Sequence, residues 1–190
     1  RALGSETGIY GYTMIRTDAL DASLDLALGD EHRRIDADAW DDIYVVGDVH
    51  GCLQELERLV ERLDPSEDDL VVFVGDLVRK GPDSAGVVDF VRSRPNFVTV
   101  RGNNEEKLLR GEKSLAELDD DDLRWIADRP VAVHWDGALV VHAGVDPRKS
   151  LPEHTVDDFE NVRELGDGDY EPPFWYDRYA GDHRVFFGHT

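Results

Sequence analysis

Blocks of apolar and polar residues alternate along most of the chain. The short apolar runs IYVV at 43–46 and LVVFV at 70–74 predict buried strands. Stretches with apolar residues three or four positions apart predict helices over about 52–63 and 84–93. Buried strands that alternate with helices indicate an α/β fold, in which functional residues gather at the C-terminal ends of the strands.

The second half of this pattern adds a hairpin and a closing strand. FVTV predicts a third strand, EEKLLR predicts a helix soon after it, and DDLRWIAD predicts a helix that ends before Pro130. The segment 131–144 predicts two strands joined at Asp136 and Gly137, a typical hairpin turn. The last apolar run, in RVFFGHT, predicts a strand with polar residues at its tip.

The first 41 residues follow a different pattern, because they are polar and acidic with few apolar positions. The apolar residues spaced for one weakly amphipathic helix are Leu20, Leu24, Ala27 and Leu28. We therefore divide the chain into an acidic N-terminal extension, residues 1–41, and one globular domain, residues 42–190. No functional residue is assigned to the extension.

Charge is the most unusual feature of the composition. The 190 residues include 42 acidic against 21 basic side chains, which gives a formal net charge of -21. Arginine outnumbers lysine, and an acidic surface of this kind is typical of proteins from concentrated salt, so we expect a halophilic source. Such a chain has no basic groove for extended nucleic acid, so an anionic substrate needs a local positive centre.

Cysteine content and hydropathy bear on the cellular location that we expect for this protein. Cys52 is the single cysteine, which excludes an internal disulfide and a thiolate metal cluster. The sequence has no apolar run near the roughly 20 residues that cross a bilayer, and its N-terminus is unlike a signal peptide. We expect a cytoplasmic protein without a membrane partner; the oligomeric state is not indicated.

Polar residues with metal-binding chemistry stand at the end of each predicted strand. They are Asp48, His50, Asp76, Asn103, His142 and His189. Each is ordinary by itself, but together they would meet at one edge of a sheet. Carboxylate, amide oxygen and imidazole donors suit Mn²⁺, Fe or Zn²⁺, and the set is large enough for two divalent metal ions that share a carboxylate.

The ordered motifs GDVHG, GDLVRKG, GNNE, HAG and GHT resemble those of the metallophosphoesterases of the calcineurin-like, phosphoprotein phosphatase superfamily. The resemblance covers residues 43–190 and implies an α/β/β/α sandwich. It also implies that Asp48, His50 and Asp76 hold one ion, preferably Mn²⁺. The second ion would be held by Asp76 and the remaining residues, Asn103, His142 and His189. Family members usually continue past Gly-His-Thr with further strands.

The resemblance implies a phosphohydrolase in which a hydroxide bridging two metal ions attacks phosphorus. Metal binding lowers the pKa of water from about 15.7 toward ~7, so no side-chain base is required. Lys80 matches the family's phosphate-contacting position, and Arg79 and Arg101 are further candidate substrate-binding residues. GDLVRKGPDSAGVV is more similar to the diadenosine-tetraphosphatase-like prokaryotic branch than to eukaryotic protein phosphatases.

Asn104 departs from the family, which has a general-acid histidine at this position. An amide cannot donate a full proton, and loss of a general acid typically costs ~10²–10⁴ in rate, most for poor leaving groups. We therefore favour nucleotide-type or other activated phosphates, with Arg79 offsetting leaving-group charge. His134, His154 and His183 are weaker candidates for a replacement acid.

Two alternatives stay open. A serine/threonine protein phosphatase would act on a phosphoprotein instead of a phosphorylated small molecule. A metal-binding regulatory scaffold with little turnover would explain Asn104, although a scaffold would not need all six metal-binding residues.

The halophilic hypothesis predicts that salt stabilises this protein. Raising KCl from about 0.1 to 1 M shortens the Debye length from ~10 to ~3 Å and weakens repulsion between the acidic side chains. We expect the free energy of unfolding to rise by about 1 kcal/mol, or a thermal midpoint about 2–4 °C higher. Stability and activity that are unchanged without molar salt would contradict the hypothesis.

Overall fold

The computed structural model describes residues 17–166 and 170–189. Within these residues the strands are β1 (His32–Arg34), β2 (Ile43–Val46), β3 (Leu70–Phe73), β4 (Phe97–Thr99), β5 (Ala132–Trp135), β6 (Ala138–Val141) and β7 (Arg184–Phe186). The helices are α1 (Thr17–Leu28), α2 (Leu53–Leu63), α3 (Ser84–Arg92), α4 (Asn103–Leu109), α5 (Asp120–Ala127), α6 (Val156–Asn161) and α7 (Trp175–Arg178). The helices and strands predicted from 43 onward are confirmed to within a few residues.

Two sheets stack between two layers of helices. Alternate side chains of β3 point to opposite faces of its sheet. Val71 and Phe73 belong to an apolar cluster that includes residues of α2, α3, α4 and α5. Leu70 and Val72 instead pack against Val133 of the other sheet. Successive side chains of a strand point to opposite faces, and both faces of this strand are apolar, as expected for a sheet that is covered on both sides. The predicted α/β/β/α architecture is confirmed.

The strand directions bring the ends of both sheets together. Strands β2, β3 and β4 are parallel, with Val46 opposite Phe73 and Phe73 opposite Thr99. The second sheet has the order β1-β5-β6-β7, and β6 runs parallel to β7 but antiparallel to β5. Five of the six residues predicted to bind metal lie in the loops after β2, β3, β6 and β7, and Asn103 is the first residue of α4, soon after β4.

The segment before residue 35 contributes to this core. The predicted weak helix is α1, and its Leu20, Leu24 and Leu28 are buried in the cluster that includes β6 residues. Strand β1 pairs in parallel with β5. Its sequence, HRR, has no apolar run, so the periodicity did not predict it.

Helices α6 and α7 were also not predicted, because each is only four to six residues long. Tertiary packing holds them in place: Phe159 of α6 is 0% exposed and Trp175 of α7 is 3% exposed. Among the described residues, no helix combines the length and the apolar character required to cross a bilayer.

A buried carboxyl group lies in α6. Glu160 is 0% exposed, and neither of its carboxylate oxygens has a hydrogen-bond partner within the described residues. Burial, and then the charge of Glu106, raise the pKa of Glu160 to about 9. The folded protein therefore keeps Glu160 protonated at neutral pH, whereas the unfolded chain ionises it near pH ~4.3.

This difference predicts how stability depends on pH. Because the folded-state pKa is raised, the stability associated with Glu160 is present below pH ~4.5 and is lost as pH rises through about 9. Glu160→Gln should therefore raise the free energy of unfolding by about 1–3 kcal/mol at pH 8 and change it little at pH 5. Denaturant titrations at both pH values check this, with the exposed Glu112→Gln as control. Parallel pH profiles for the Glu160 variant and the unsubstituted protein would contradict it.

Candidate metal centre

Two groups of metal-binding side chains meet at the C-terminal edge of the sheets. In the first, His50 Nε2 lies 3.6 Å from Asp48 Oδ2 and 3.8 Å from Asp76 Oδ2. In the second, His142 Nε2 lies 3.5 Å from Asp76 Oδ1 and 2.9 Å from His189 Nδ1. Within each group the candidate ligand atoms all lie within 4.8 Å of one another. Asp76 belongs to both groups.

The histidine orientations fit cations at this edge. His142 Nδ1 lies 2.9 Å from the Val74 carbonyl oxygen, so the proton is on Nδ1 and the lone pair of Nε2 points toward Asp76 and His189. Burial lowers the pKa of His142. Burial, and then His142, lower the pKa of His189 to about 3. Both rings are therefore neutral at pH 7, which is the form that binds metal.

The backbone brings these groups close by local conformations that few residues adopt. His50, Asp76 and His189 all have left-handed backbones, with φ of 54°, 51° and 58°. A Cβ atom at Gly188 would lie 2.0 Å from Asp48 Oδ1, so a larger residue there would displace the carboxylate of a candidate ligand. The three left-handed candidate ligands are among the seven described non-glycine residues with positive φ, and Arg79 and Lys80 in the loop of Asp76 are two more.

A buried carboxylate that was not assigned a role from the sequence ties two of the loops together. Glu105 accepts hydrogen bonds from the backbone amides of Asp76 at 2.8 Å, Val78 at 3.1 Å and Gly102 at 2.8 Å. Burial, and then the charge of Asp76, raise the pKa of Glu105 to about 8. The residue stands in the quoted GNNE motif, but spacing alone did not reveal which amides it would contact.

Asn104 is part of the candidate centre and contacts Asp76 twice. Its backbone amide donates to Asp76 Oδ1 at 2.9 Å, and its side-chain amide donates to Asp76 Oδ2. The side-chain oxygen of Asn104 accepts a hydrogen bond from Arg79. The residue that replaces the expected histidine therefore links Asp76 to Arg79.

Asn103 lies at the rim of the second group. Its side-chain nitrogen, rather than its oxygen, is 3.2 Å from His189 Nδ1, and the same nitrogen is 3.4 Å from Asn161 Oδ1. Metal binding by Asn103 would use the side-chain oxygen. The structure therefore brings the residue to the centre, and rotation of the side-chain amide would present its oxygen.

A cleft of ≈ 460 Å³ opens over both groups. Its lining includes the predicted Arg79 and Lys80, together with the basic residues Lys107 and Arg163, which the sequence did not single out. Lys80 Nζ lies 2.8 Å from His50 Nε2, and Arg163 Nε donates to the His189 carbonyl at 2.9 Å. The lining thus sets these four basic side chains beside three carboxylates, although the chain as a whole is acidic.

Arg101 was predicted to bind substrate, but it does not line this cleft. Arg101 is 6% exposed, and its guanidinium donates to Glu31 Oε1 at 2.6 Å and to the carbonyls of Ala127 at 3.0 Å and Arg129 at 3.1 Å. These contacts make it a structural cross-link, although its buried Nε has no hydrogen-bond partner within the described residues. Its position beside the GNNE motif gave no information about the direction of the side chain.

The three histidines considered as replacement acids also lie outside the lining of the cleft. His154 Nε2 accepts from the Asp146 amide at 2.9 Å. His134 approaches Asp21 at 3.1 Å. Burial lowers the pKa of His183.

An aromatic cavity adjoins the metal-binding edge. Among the residues that line it are Phe174, Trp175, Tyr176 and Phe187, and it shares Arg163 and His189 with the cleft. The rings of Phe174 and Tyr176 stack with centroids 5.3 Å apart. This arrangement offers planar apolar surface beside the cationic and metal-binding groups.

The sequence that carries these two groups matches the model of a known protein family. The model of the family "Calcineurin-like phosphoesterase" matches residues 42–190. The chain belongs to the calcineurin-like phosphoesterase family. This family implies divalent metals, in agreement with the two groups that share Asp76.

Relatives within the calcineurin-like phosphoesterases include enzymes named for nucleotide substrates. The symmetrical bis(5'-nucleosyl)-tetraphosphatase of Methylococcus capsulatus is 36% identical over 174 residues, which cover 76% of this chain and 62% of that protein. The corresponding protein of Pseudomonas putida is 34% identical, and the match covers 75% of this chain and 59% of that protein. The chain therefore spans about three fifths of the length of these relatives.

One solved structure and one shorter match complete the comparison. A crystal structure provisionally named as a diadenosine tetraphosphatase has a TM-score of 0.74 and 28% identity, covering 84% of this chain and 79% of that one. Serine/threonine-protein phosphatase 1 of Salmonella typhimurium is 47% identical over 81 residues, which cover 41% of this chain and 36% of that protein.

Proposed function

We propose that this chain carries the centre of a dinuclear metal-dependent phosphohydrolase that cleaves phosphoanhydride bonds of nucleotide-type substrates. The observation that carries the proposal is the position of Asp76 in both candidate metal groups, under a cleft that Arg79 and Lys80 line. The names of the tetraphosphatase relatives and of the solved neighbour support the substrate class.

The donor set suggests how the ions would be held. Asp48, His50 and Asp76 would hold one cation, and Asp76, His142 and His189, with Asn103, would hold the other. When bound, two divalent cations supply a water of lowered pKa and neutralise charge on the phosphoryl oxygens. Mixed oxygen and nitrogen donors suit Mn²⁺, with Fe or Zn²⁺ as further candidates.

The chain's own cations would orient the phosphate chain of the substrate. Lys80 is within hydrogen-bond distance of His50, at the first metal group, and can contact a phosphoryl oxygen as a point charge. Arg79 is held by Asn104, which contacts the shared Asp76, and is placed to stabilise negative charge on the leaving group. Arg163 and Lys107, which also line the cleft, would attract the remaining phosphates.

Asn104 favours an anhydride over an ester. Its side-chain nitrogen and oxygen are both engaged, with Asp76 and Arg79, so it acts as a positioning residue and supplies no proton. A phosphate leaving group is stable as an anion, whereas a serine alkoxide needs a proton to leave. The aromatic cavity beside His189 would accommodate a nucleobase, because planar bases stack on aromatic rings.

The serine/threonine phosphatase is the second candidate, and the 47% identity to the Salmonella protein over 81 residues favours it. Such an enzyme would place a phosphopeptide in the same cleft. A regulatory scaffold is the third, and would bind metal without turnover. The cytoplasmic and halophilic assignments remain predictions from composition.

Substrate preference and two substitutions test the proposal. With Mn²⁺ in high salt, we expect the protein to hydrolyse a dinucleoside tetraphosphate faster than a phosphopeptide. Asp76→Asn should lower turnover by about 10³-fold or more, since it removes the shared carboxylate. Asn104→His should raise phosphopeptide hydrolysis by about 10²-fold or more while changing tetraphosphate hydrolysis much less.

The exposed Asp120→Asn is the matched control and should retain full activity. A preference of the unsubstituted protein for the phosphopeptide would favour the protein phosphatase. Absence of turnover on all substrates with metal bound would favour the scaffold. Unchanged turnover in Arg79→Ala would dismiss the proposed role of Arg79.

A further inference from the structure

A second kind of polar cluster lies between α1 and the outer face of the second sheet. His134 Nε2 is 3.1 Å from Asp21 Oδ1 and 3.2 Å from His32 Nδ1, and His32 Nδ1 is 4.0 Å from Asp21 Oδ1. The two histidines come from β1 and β5, and the aspartate comes from α1. The cluster shares no residue with the two groups around Asp76.

Strand register explains why these side chains meet. His32 is opposite Ala132, and Arg34 is opposite His134, so the two histidines are diagonal neighbours on one face of the sheet. Ala132 packs in the cluster that contains the α1 leucines, so this face is covered by α1. Asp21 directly follows the buried Leu20 on that helix, at the edge of the covered face.

We propose that Asp21, His32 and His134 form a third divalent-metal site, which takes Zn²⁺ or a similar imidazole-preferring ion. Ligand atoms that are each about 2.0–2.2 Å from Zn²⁺ lie roughly 3.0–3.6 Å from one another. Two of the three observed separations fall in this range. The third is 4.0 Å and involves Asp21, whose side chain is 35% exposed and can turn toward His32.

A further carboxylate prepares His32 for this role. His32 Nε2 is 2.9 Å from Asp25 Oδ1, so its proton lies on Nε2 and its Nδ1 lone pair points into the cluster. Carboxylate–histidine–metal triads use the same arrangement to orient a ligand. The side chains of His32 and His134 are 7% and 0% exposed, whereas that of Asp21 is 35% exposed. Water can therefore complete the coordination.

The alternative is a network held by hydrogen bonds alone. In that case His134 Nε2 would donate its proton to Asp21 or His32. The buried His134 Nδ1 has no partner within the described residues, so metal binding by Nε2 would leave the Nδ1–H without an acceptor, whereas the network would leave only a lone pair unpaired. The Asp21 carboxylate and the Nδ1 lone pair of His32 converge on His134 Nε2, where either a shared proton or a cation can lie, and metal binding distinguishes the two.

Metal stoichiometry tests the site independently of catalysis. Metal-free protein is dialysed against about 10 µM free Zn²⁺, and bound metal is measured by mass spectrometry. We expect His32→Gln and Asp21→Asn each to bind one equivalent fewer than the unsubstituted protein. Asp30→Asn, which makes the same charge change at an exposed position, should bind the full complement. Equal stoichiometry in all four proteins would overturn the proposal.

Two further readouts separate a metal site from a structural network. Asp25→Asn removes only the orienting carboxylate and should weaken Zn²⁺ binding at this site by about 10–100-fold. Nitrogen NMR of the histidine rings should show Zn²⁺-dependent shifts of His32 Nδ1 and His134 Nε2. Unshifted signals for these two nitrogens at saturating Zn²⁺ would overturn the proposal even if a variant failed to fold. If the protein hydrolysed none of the substrates but still showed these shifts, the proposed function would be wrong and the third metal site would stand.

Discussion

The carboxylate of Asp76 is the group on which the rest of the site depends. It is 2% exposed, belongs to both candidate metal groups, and accepts two hydrogen bonds from Asn104. A buried charge is costly unless it is paired, and the groups closest to its free lone pairs are histidines that are themselves acceptors. Cations between these groups would resolve the accumulation of lone pairs. The fold can thus be understood as a frame that holds strand ends close enough to share one carboxylate.

The frame combines regular and strained parts. Parallel pairing of β2, β3 and β4 brings three of the loops to one edge, and the parallel pairing of β6 with β7 brings two more. Glu105 then ties the loop after β3 to the loop after β4 through backbone amides. Three candidate ligands, His50, Asp76 and His189, have left-handed backbones just beyond the ends of the strands. Stability supplied by the layered core offsets the strain stored at this edge.

The sequence predicted those features that have a local or ordered signal. Strands with continuous apolar runs and helices with clear periodicity appeared where expected, and strand-end residues such as Asp48 and His142 do converge. Features that depend on three-dimensional contacts could not be predicted from the sequence. Strand β1 is polar and is held by pairing with β5. The side chain of Arg101 points away from the cleft and donates to backbone carbonyls. Glu105 accepts hydrogen bonds from amides that are far away in sequence. Spacing along a chain does not determine the direction of a side chain.

The account depends on two cations occupying the two groups of metal-binding side chains that share Asp76. X-ray diffraction from Mn²⁺-loaded crystals, recorded at the manganese absorption edge, tests it most directly. The account predicts two anomalous peaks about 4 Å apart, with a carboxylate oxygen of Asp76 bound to each. Asp48 and His50 should contact one peak, and His142 and His189 the other. A single peak, or two peaks that do not share Asp76, would contradict the account.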